Sequence, residues 1–390
     1  MIRSALSYAR QVALAMTDAR TRALIVSHTD GLKHGAGDHR LALEDATGYL
    51  LRAQRQGTDA GLGSYHLTEG WGASYPETTG YAIPTLLSAG DRLGRADLHD
   101  AAFKAAAWLL GIQRPDGGWQ GGRIGEDRQS VVFNTAQVVR GLLAVHERTR
   151  ATPYLEAAVR ACRWMIAVQD ADGAWRGSNF MGVARVYDTY VDAPLLQVHS
   201  ITGEEHFRSA AWRNLEWVLG QQAENGWFAN ADNTLRHNDR PITHTLAYTM
   251  DGLLECTRTT GDERWAKAAL KAAEPLAERY LKDGVLHGRY DARWRGSEHA
   301  IMTGCAQMVI VWSHAAQLTG SSQYREAAAR LIDQLVSIQA LGKQGPPDAV
   351  GALPGSFPLW GRYEKFAFPN WGTKYFVDAL LCAQGGTSAR

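Results

Sequence analysis

Cysteine is scarce in this chain and scattered. Cys162, Cys256, Cys305 and Cys382 are the four in 390 residues, and none forms a CxxC pair or joins a histidine at metal-ligand spacing. A disulfide framework is therefore not expected, and the four read as small buried apolar side chains. No cluster of His, Cys and carboxylate has ligand spacing, so neither a metal nor a cofactor is expected. Charge of one sign is also lacking: 41 Lys and Arg balance 40 Asp and Glu. With no basic field, nothing would draw nucleic acid. No stretch is long and apolar enough to span a membrane. Residues 1–10 lack the continuous apolar core of a secretory leader, so the expected location is the cytoplasm, or the periplasm had a leader been removed. Oligomeric state is left open.

What the chain does have is a repeat. Leu110 to Trp119, Ile166 to Trp175 and Leu219 to Trp227 share one pattern: a helix end, a Gln (Gln113, Gln169, Gln222), a turn with Asp-Gly or Asn-Gly, then Trp. Glycine suits the left-handed conformation that ends a helix. Weaker copies end at Gln54 and Gln339, and a degenerate one lies at Asp283-Gly284. Before each runs a helix with one apolar stripe and a charged face: 40–54, 97–113, 154–169, 205–222, 263–281 and 323–339. Alternating with them are more apolar segments rich in small residues, starting near 76, 131, 187, 243, 300 and 368, with steps of 55, 56, 56, 57 and 68 residues. Amphipathic outer and apolar inner helices in six alternations predict an all-α fold, a single (α/α)₆ toroid over 1–390, with 1–24 as an extra N-terminal helix.

In such a ring the inner helices run the same way. Their N-termini, and the long loops before them, open on one face, where helix dipoles favour an anionic ligand. The loop 63–81 brings Trp71, Tyr75, Glu77 and Tyr81 there. Pro76 suits a first helical position, and Glu77 reads either as a plain helix-start carboxylate or as a catalytic acid. The second inner helix offers Asn134. The loop 184–190 offers Arg185, Tyr187, Asp188 and Tyr190. His244 and Tyr248, four apart, share a face of the fourth inner helix; His244 reads equally as a catalytic or a structural histidine. His299 and Gln307 mark the fifth. The last loop and helix supply Trp360, Arg362, Asn370, Trp371 and Lys374. Aromatic faces stack on sugar rings, and Arg or Lys pairs with a carboxylate.

Ser-Tyr-Pro-Glu-Thr-Thr-Gly-Tyr at 74–81, Val-Val-Phe-Asn-Thr at 131–135, Thr-His-Thr-Leu-Ala-Tyr at 243–248, and Gly-Ser-Phe-Pro-Leu-Trp-Gly with Pro-Asn-Trp-Gly-Thr-Lys-Tyr-Phe near the end resemble the VpsJ-type proteins, encoded among bacterial exopolysaccharide biosynthesis genes. The resemblance covers roughly 40–384. It implies a toroid and a role in polysaccharide metabolism, and supplies no catalytic residues. The Asp-Gly-Gly-Trp repeats also look like those of terpenoid cyclases and protein prenyltransferases, but the acidic D-x-D-D of the former and the zinc set of the latter are missing. Thr243 to Glu255 is similar to the His-bearing inner helix of N-acylglucosamine and cellobiose epimerases.

These residues lead first to β-elimination on a uronate-containing polysaccharide or oligosaccharide. Arg185 and Lys374 would neutralise the carboxylate, His244 or Tyr187 would be the base, and Tyr248 or Tyr190 the acid. The alternatives are glycoside hydrolysis with Glu77 as acid and Asp188 as base, a sugar or uronyl epimerase, and a non-catalytic glycan-binding protein that would keep Trp71, Trp360 and Trp371.

Overall fold

Helix starts and stops fall where local chemistry puts them. Pro76 opens the helix Pro76–Leu93, and Pro153 lies in the first turn of Thr152–Ala167. Asp262 caps Glu263–Asp283 by accepting from the Arg264 amide. Left-handed glycines at 94, 203, 261 and 320 end four helices. The computed structural model describes residues 16–31, 37–234, 237–383 and 385.

Among the described residues, six inner helices are Pro76–Leu93, Val132–Thr149, Thr189–Thr202, Thr243–Thr260, Met302–Thr319 and Asn370–Ala383. Their outer partners are His39–Arg55, Ala96–Gly111, Thr152–Ala167, Glu205–Leu219, Glu263–Asp283 and Ser322–Leu341. Each inner helix packs on the next and the sixth packs on the first, so the (α/α)₆ ring closes. The extra helix expected over 1–24 lies largely outside the described residues; within them, Ala19–Ser27 is helical and packs on the turn Gly342–Gln344.

Glycine sets the tightest inner seam. A Cβ on Gly80 would come within 2.5 Å of the Val138 Cα, and one on Gly141 within 2.4 Å of the Gly80 carbonyl, so these two backbones touch directly.

The repeated motif is a latch between outer helices. Gln113 Nε2 donates to Gly117 in its own turn and to Ala157 of the next outer helix, both at 2.9 Å. Gln169 reaches Gly173 and Ala210 in the same way, Gln222 reaches Gly226 and Ala268, and Gln54 reaches Ala60 and Ala101. Gln339 closes the ring onto Ala42 of the first outer helix. At the degenerate fifth turn, Gln334 instead reaches back to the Gly284 carbonyl. The glycines take φ of 96°, 92° and 86° at 117, 173 and 226, each pressed against a carbonyl of the next outer helix. Trp119 and Trp175 are fully buried and donate to Leu109 and Met165 carbonyls.

The face at the inner-helix N-termini is knitted by two-residue antiparallel pairs. Tyr65–His66 lies between Gly70–Trp71 and Ala367–Phe368, and Ala300–Ile301 pairs with Ser356–Phe357. All four cysteines are free and buried, as their spacing predicts. No helix is long and apolar enough to cross a membrane among the described residues.

Candidate active site

A cavity of about 300 Å³ opens at that face. First turns of the inner helices supply Glu77, Thr78, Phe133, Asn134, His244, Thr245 and Trp371 to its wall. Tyr187 comes from the short helical turn just before the third inner helix, and Tyr81 and Tyr248 from one turn deeper. Glu77 and His244 therefore share one site, as the polarity of the ring requires.

Below, the axis is closed. Tyr248 of the fourth inner helix meets Tyr375 of the sixth at 5.8 Å between ring centroids. Arg140 of the second helix makes a buried two-pronged ion pair with Glu255 of the fourth, at 2.6 and 2.7 Å. The Tyr190 hydroxyl of the third donates to Asp251 of the fourth, which His314 of the fifth approaches. Lys374 and Asp378 pair at 2.8 Å on the sixth, and Thr85 of the first donates to Asp378. All six inner helices thus contribute to a polar plug beneath an aromatic floor.

Two groups in the wall have displaced proton affinities. Burial pushes the Glu77 carboxyl up to about 7, against the opposing pull of a hydrogen bond from Tyr75. Asn134 donates to the Tyr75 hydroxyl at 3.2 Å. Glu77 is thus a carboxylic acid, not a carboxylate, over most of the range below neutral pH. Burial pushes His244 down to about 4, with Gln307 pulling the other way. His244 Nδ1 lies 2.6 Å from the Gln307 Oε1. An amide oxygen can only accept, so Nδ1 carries the proton and Nε2 keeps a lone pair. The tight His244 backbone is held by Gly304, where a Cβ would come within 2.8 Å of the His244 amide.

Several residues expected at the site serve elsewhere. Asp188 is fully buried behind the wall, where it accepts from Asn179 Nδ2 at 2.7 Å, so it is not placed as a base. Arg185 is buried beside Tyr187 and Asp188 and does not line the cavity. Lys374 is spent on Asp378 and sits over the Tyr81 and Tyr375 rings. Tyr190 is committed to Asp251 and the plug. Trp71 stacks on Tyr49 away from the cavity. Asn370 donates to the Leu62 and Gly63 carbonyls and ties loop to helix. His299 is exposed outside the wall, Trp360 packs on the core, and Arg362 pairs with Glu298 on the rim. Gln307 acts on the site only through His244.

The wall also holds Arg123, which sequence reasoning passed over, and Phe180, Asn233, Tyr363 and Glu364, from loops it placed at this face without assigning them a role. Arg123 sits in a glycine-rich loop after Trp119 that crosses to the neighbouring hairpin, where the Ile124 amide donates to the Ser74 carbonyl. It is exposed at the mouth and draws the Glu364 proton affinity down, while burial pushes Glu364 up overall. Tyr363 accepts from Trp371 Nε1 at 3.0 Å. No group of three or more His, Cys, Asp or Glu able to hold a metal occurs among the described residues.

The ring and its cavity define an (α/α)₆ toroid with a pocket at the inner-helix N-termini, above an axis filled by buried side chains among the described residues. Residues 77–184 match the squalene-hopene cyclase C-terminal domain family. A squalene–hopene cyclase of Zymomonas mobilis is 31% identical over 150 residues, 36% of this chain and 20% of that protein, so the chain spans about a fifth of that relative's length. Unsaturated glucuronyl hydrolase from Bacillus sp. GL1 shares the fold with a TM-score of 0.70 at 15% identity, over 90% of this chain and 98% of its own. Cellobiose 2-epimerase from Bacillus thermoamylovorans B4167 does so with a TM-score of 0.70 at 13% identity, over 89% and 98%. The cyclase match covers the Gln113 and Gln169 latches with their buried tryptophans, the parts of the repeat that hold the ring together.

Proposed function

We propose that this protein is a carbohydrate-active enzyme that hydrolyses the terminal uronate of an acidic oligosaccharide, with Glu77 as the general acid. The observation that carries the reading is the Glu77 carboxyl in the cavity wall, pushed up to about 7 and so protonated where it would have to donate. Arg123 at the mouth supplies a cation for the substrate carboxylate. The aromatic walls suit the C–H faces of a sugar ring, and Asn134, Asn233, Thr78 and Thr245 offer partners for its hydroxyls. His244, with Nε2 unprotonated, accepts a proton from the attacking water. A floor without an exit favours a chain end over a chain interior.

β-Elimination was the first expectation from the sequence, and its acid, base and cation could be drawn from the same wall. Hydrolysis is preferred on chemical grounds. Elimination needs a base strong enough to remove a carbon-bound proton: an imidazole held near 4 is too weak for that, though it can assist a water whose attack follows protonation of the leaving oxygen, and burial keeps the alternative base, the Tyr187 hydroxyl, protonated. A cyclase reading fits less well, because half of the wall is polar and would have no role around a polyene. The structural likeness to uronate- and sugar-processing toroids and the sequence resemblance to exopolysaccharide proteins both support a glycan substrate.

The test is an incubation with glucuronyl oligosaccharides carrying either a saturated or an unsaturated terminal uronate, read at roughly 235 nm, where the unsaturated uronate absorbs. New reducing ends, with absorbance unchanged for the saturated substrate or lost for the unsaturated one, support hydrolysis. A rise in absorbance would assign the protein to the lyases instead. Glu77→Gln should lower turnover by roughly 10²–10⁴-fold.

A further inference from the structure

The loop 177–185 presents Phe180, 44% exposed, and Met181, 52% exposed, among the few large apolar side chains left to solvent. Phe180 lies at the lip and also lines the cavity. It makes no contact with another aromatic ring among the described residues. Yet the backbone beneath it is firmly held. Asn179 accepts from the Phe180 amide at 2.8 Å through Oδ1, and donates to Asp188 at 2.7 Å through Nδ2. Both Asn179 and Asp188 are buried. A fixed bracket under an uncovered ring means that little side-chain and loop freedom is lost when something packs on that ring.

We infer that Phe180 is a specificity-determining residue that forms an outer subsite, stacking on the second ring of an oligosaccharide whose terminal uronate fills the cavity, and that Asp188 is a positioning residue acting on Phe180 through Asn179. The inference rests on the reading of the cavity as a uronate site. Among the described residues the aromatic floor and polar plug close the cavity below, so the rest of the substrate must pass the lip. The face of a pyranose ring is apolar along its C–H bonds and packs on an aromatic face. Asp188 thereby gains a reason to be buried beside Asn179, although it is not placed as a base.

The experiment measures binding by calorimetry in a Glu77→Gln background, which slows turnover by roughly 10²–10⁴-fold. The two probes are free glucuronate and a glucuronyl-glucose disaccharide. Phe180→Ala should weaken the disaccharide by about 3- to 10-fold and leave glucuronate unchanged. Phe180→Tyr should restore the disaccharide. Asn179→Ala should reproduce the loss and add nothing to Phe180→Ala, whereas damage to the fold would weaken both probes alike and lower Tm. Unchanged disaccharide binding in Phe180→Ala, or an equal loss for both probes, overturns the proposal. If the parent binds both probes but the wild-type protein turns over no uronate substrate, the hydrolase reading fails alone, and the two affinities still judge the subsite. If the parent binds neither probe, both fall.

Discussion

Glu77 and His244 differ in the direction in which burial moves them, and that difference sets a pH window. On the proposed reading Glu77 would donate only while protonated, up to about 7, and His244 would accept only while neutral, above about 4. Turnover by wild-type protein should therefore follow a bell between these limits, and a pH profile of kcat/KM checks it. His244→Asn should keep Tm, lose at least about 10²-fold in turnover, and flatten the acid limb. A mutant with lowered Tm and intact kcat would return His244 to a structural role. Stability carries a separate sign. The folded Glu77 pKa lies above its ordinary value of 4.5, so the folded state holds its proton longer than the unfolded chain. Stability is thus full below about 4.5 and falls as pH rises to about 7. Glu77→Gln, which cannot ionise, should melt higher than wild type at pH 8 and gain nothing at pH 4, as paired thermal melts would show. At this scale the sequence was half legible. Pro76-Glu77 and Thr243-His244 announce helix starts, and helix starts converge in a ring. The partners that disable Arg185 and Asp188 are set by packing and cannot be read from spacing. Lys374 and Asp378 are different: they stand four apart on one helix, so their pairing was available as an i, i+4 signal.

Between outer helices, the Gln and Gly of each turn act as one unit. Gln169 donates two hydrogen bonds, one to each side of a seam, and Gly173 brings the turn against the Arg213 carbonyl, where a Cβ would stand 2.5 Å away. Gln169→Ala should cost about 2 kcal/mol, a fall of a few degrees in Tm, with turnover unchanged. Gly173→Ala should cost more, because strain from φ of 92° adds to the clash. Thermal melts with activity assays on both variants check this, and a loss of kcat without loss of Tm would contradict it. The helices themselves were legible to within about three residues at each end, because apolar periodicity and capping residues are local signals. The loop that carries Arg123 was not: its Gly-rich, charged composition reads as solvent-facing, and only its crossing to Ser74 brings it to the mouth.

Across the whole molecule, the plug fixes how the ring is filled. Arg140 and Glu255 join non-neighbouring inner helices, so removing Glu255 takes from the buried Arg140 guanidinium its two bonds to a carboxylate. Glu255→Leu should destabilise by about 3–5 kcal/mol, and Arg140→Met with Glu255→Leu by much less; denaturant melts of the two variants test the ordering. A double variant no more stable than Glu255→Leu would mean that the pair does not act as a unit. A plugged ring also imposes a sequence on product departure. If the proposed hydrolysis takes place there, the released outer fragment can leave at once, while the terminal sugar, lodged against the aromatic floor, has to wait until the mouth clears. It is then the product whose loss regenerates free enzyme. Terminal uronate should accordingly inhibit competitively against substrate, and the outer fragment noncompetitively, so that steady-state inhibition patterns report the closed floor without any structural measurement.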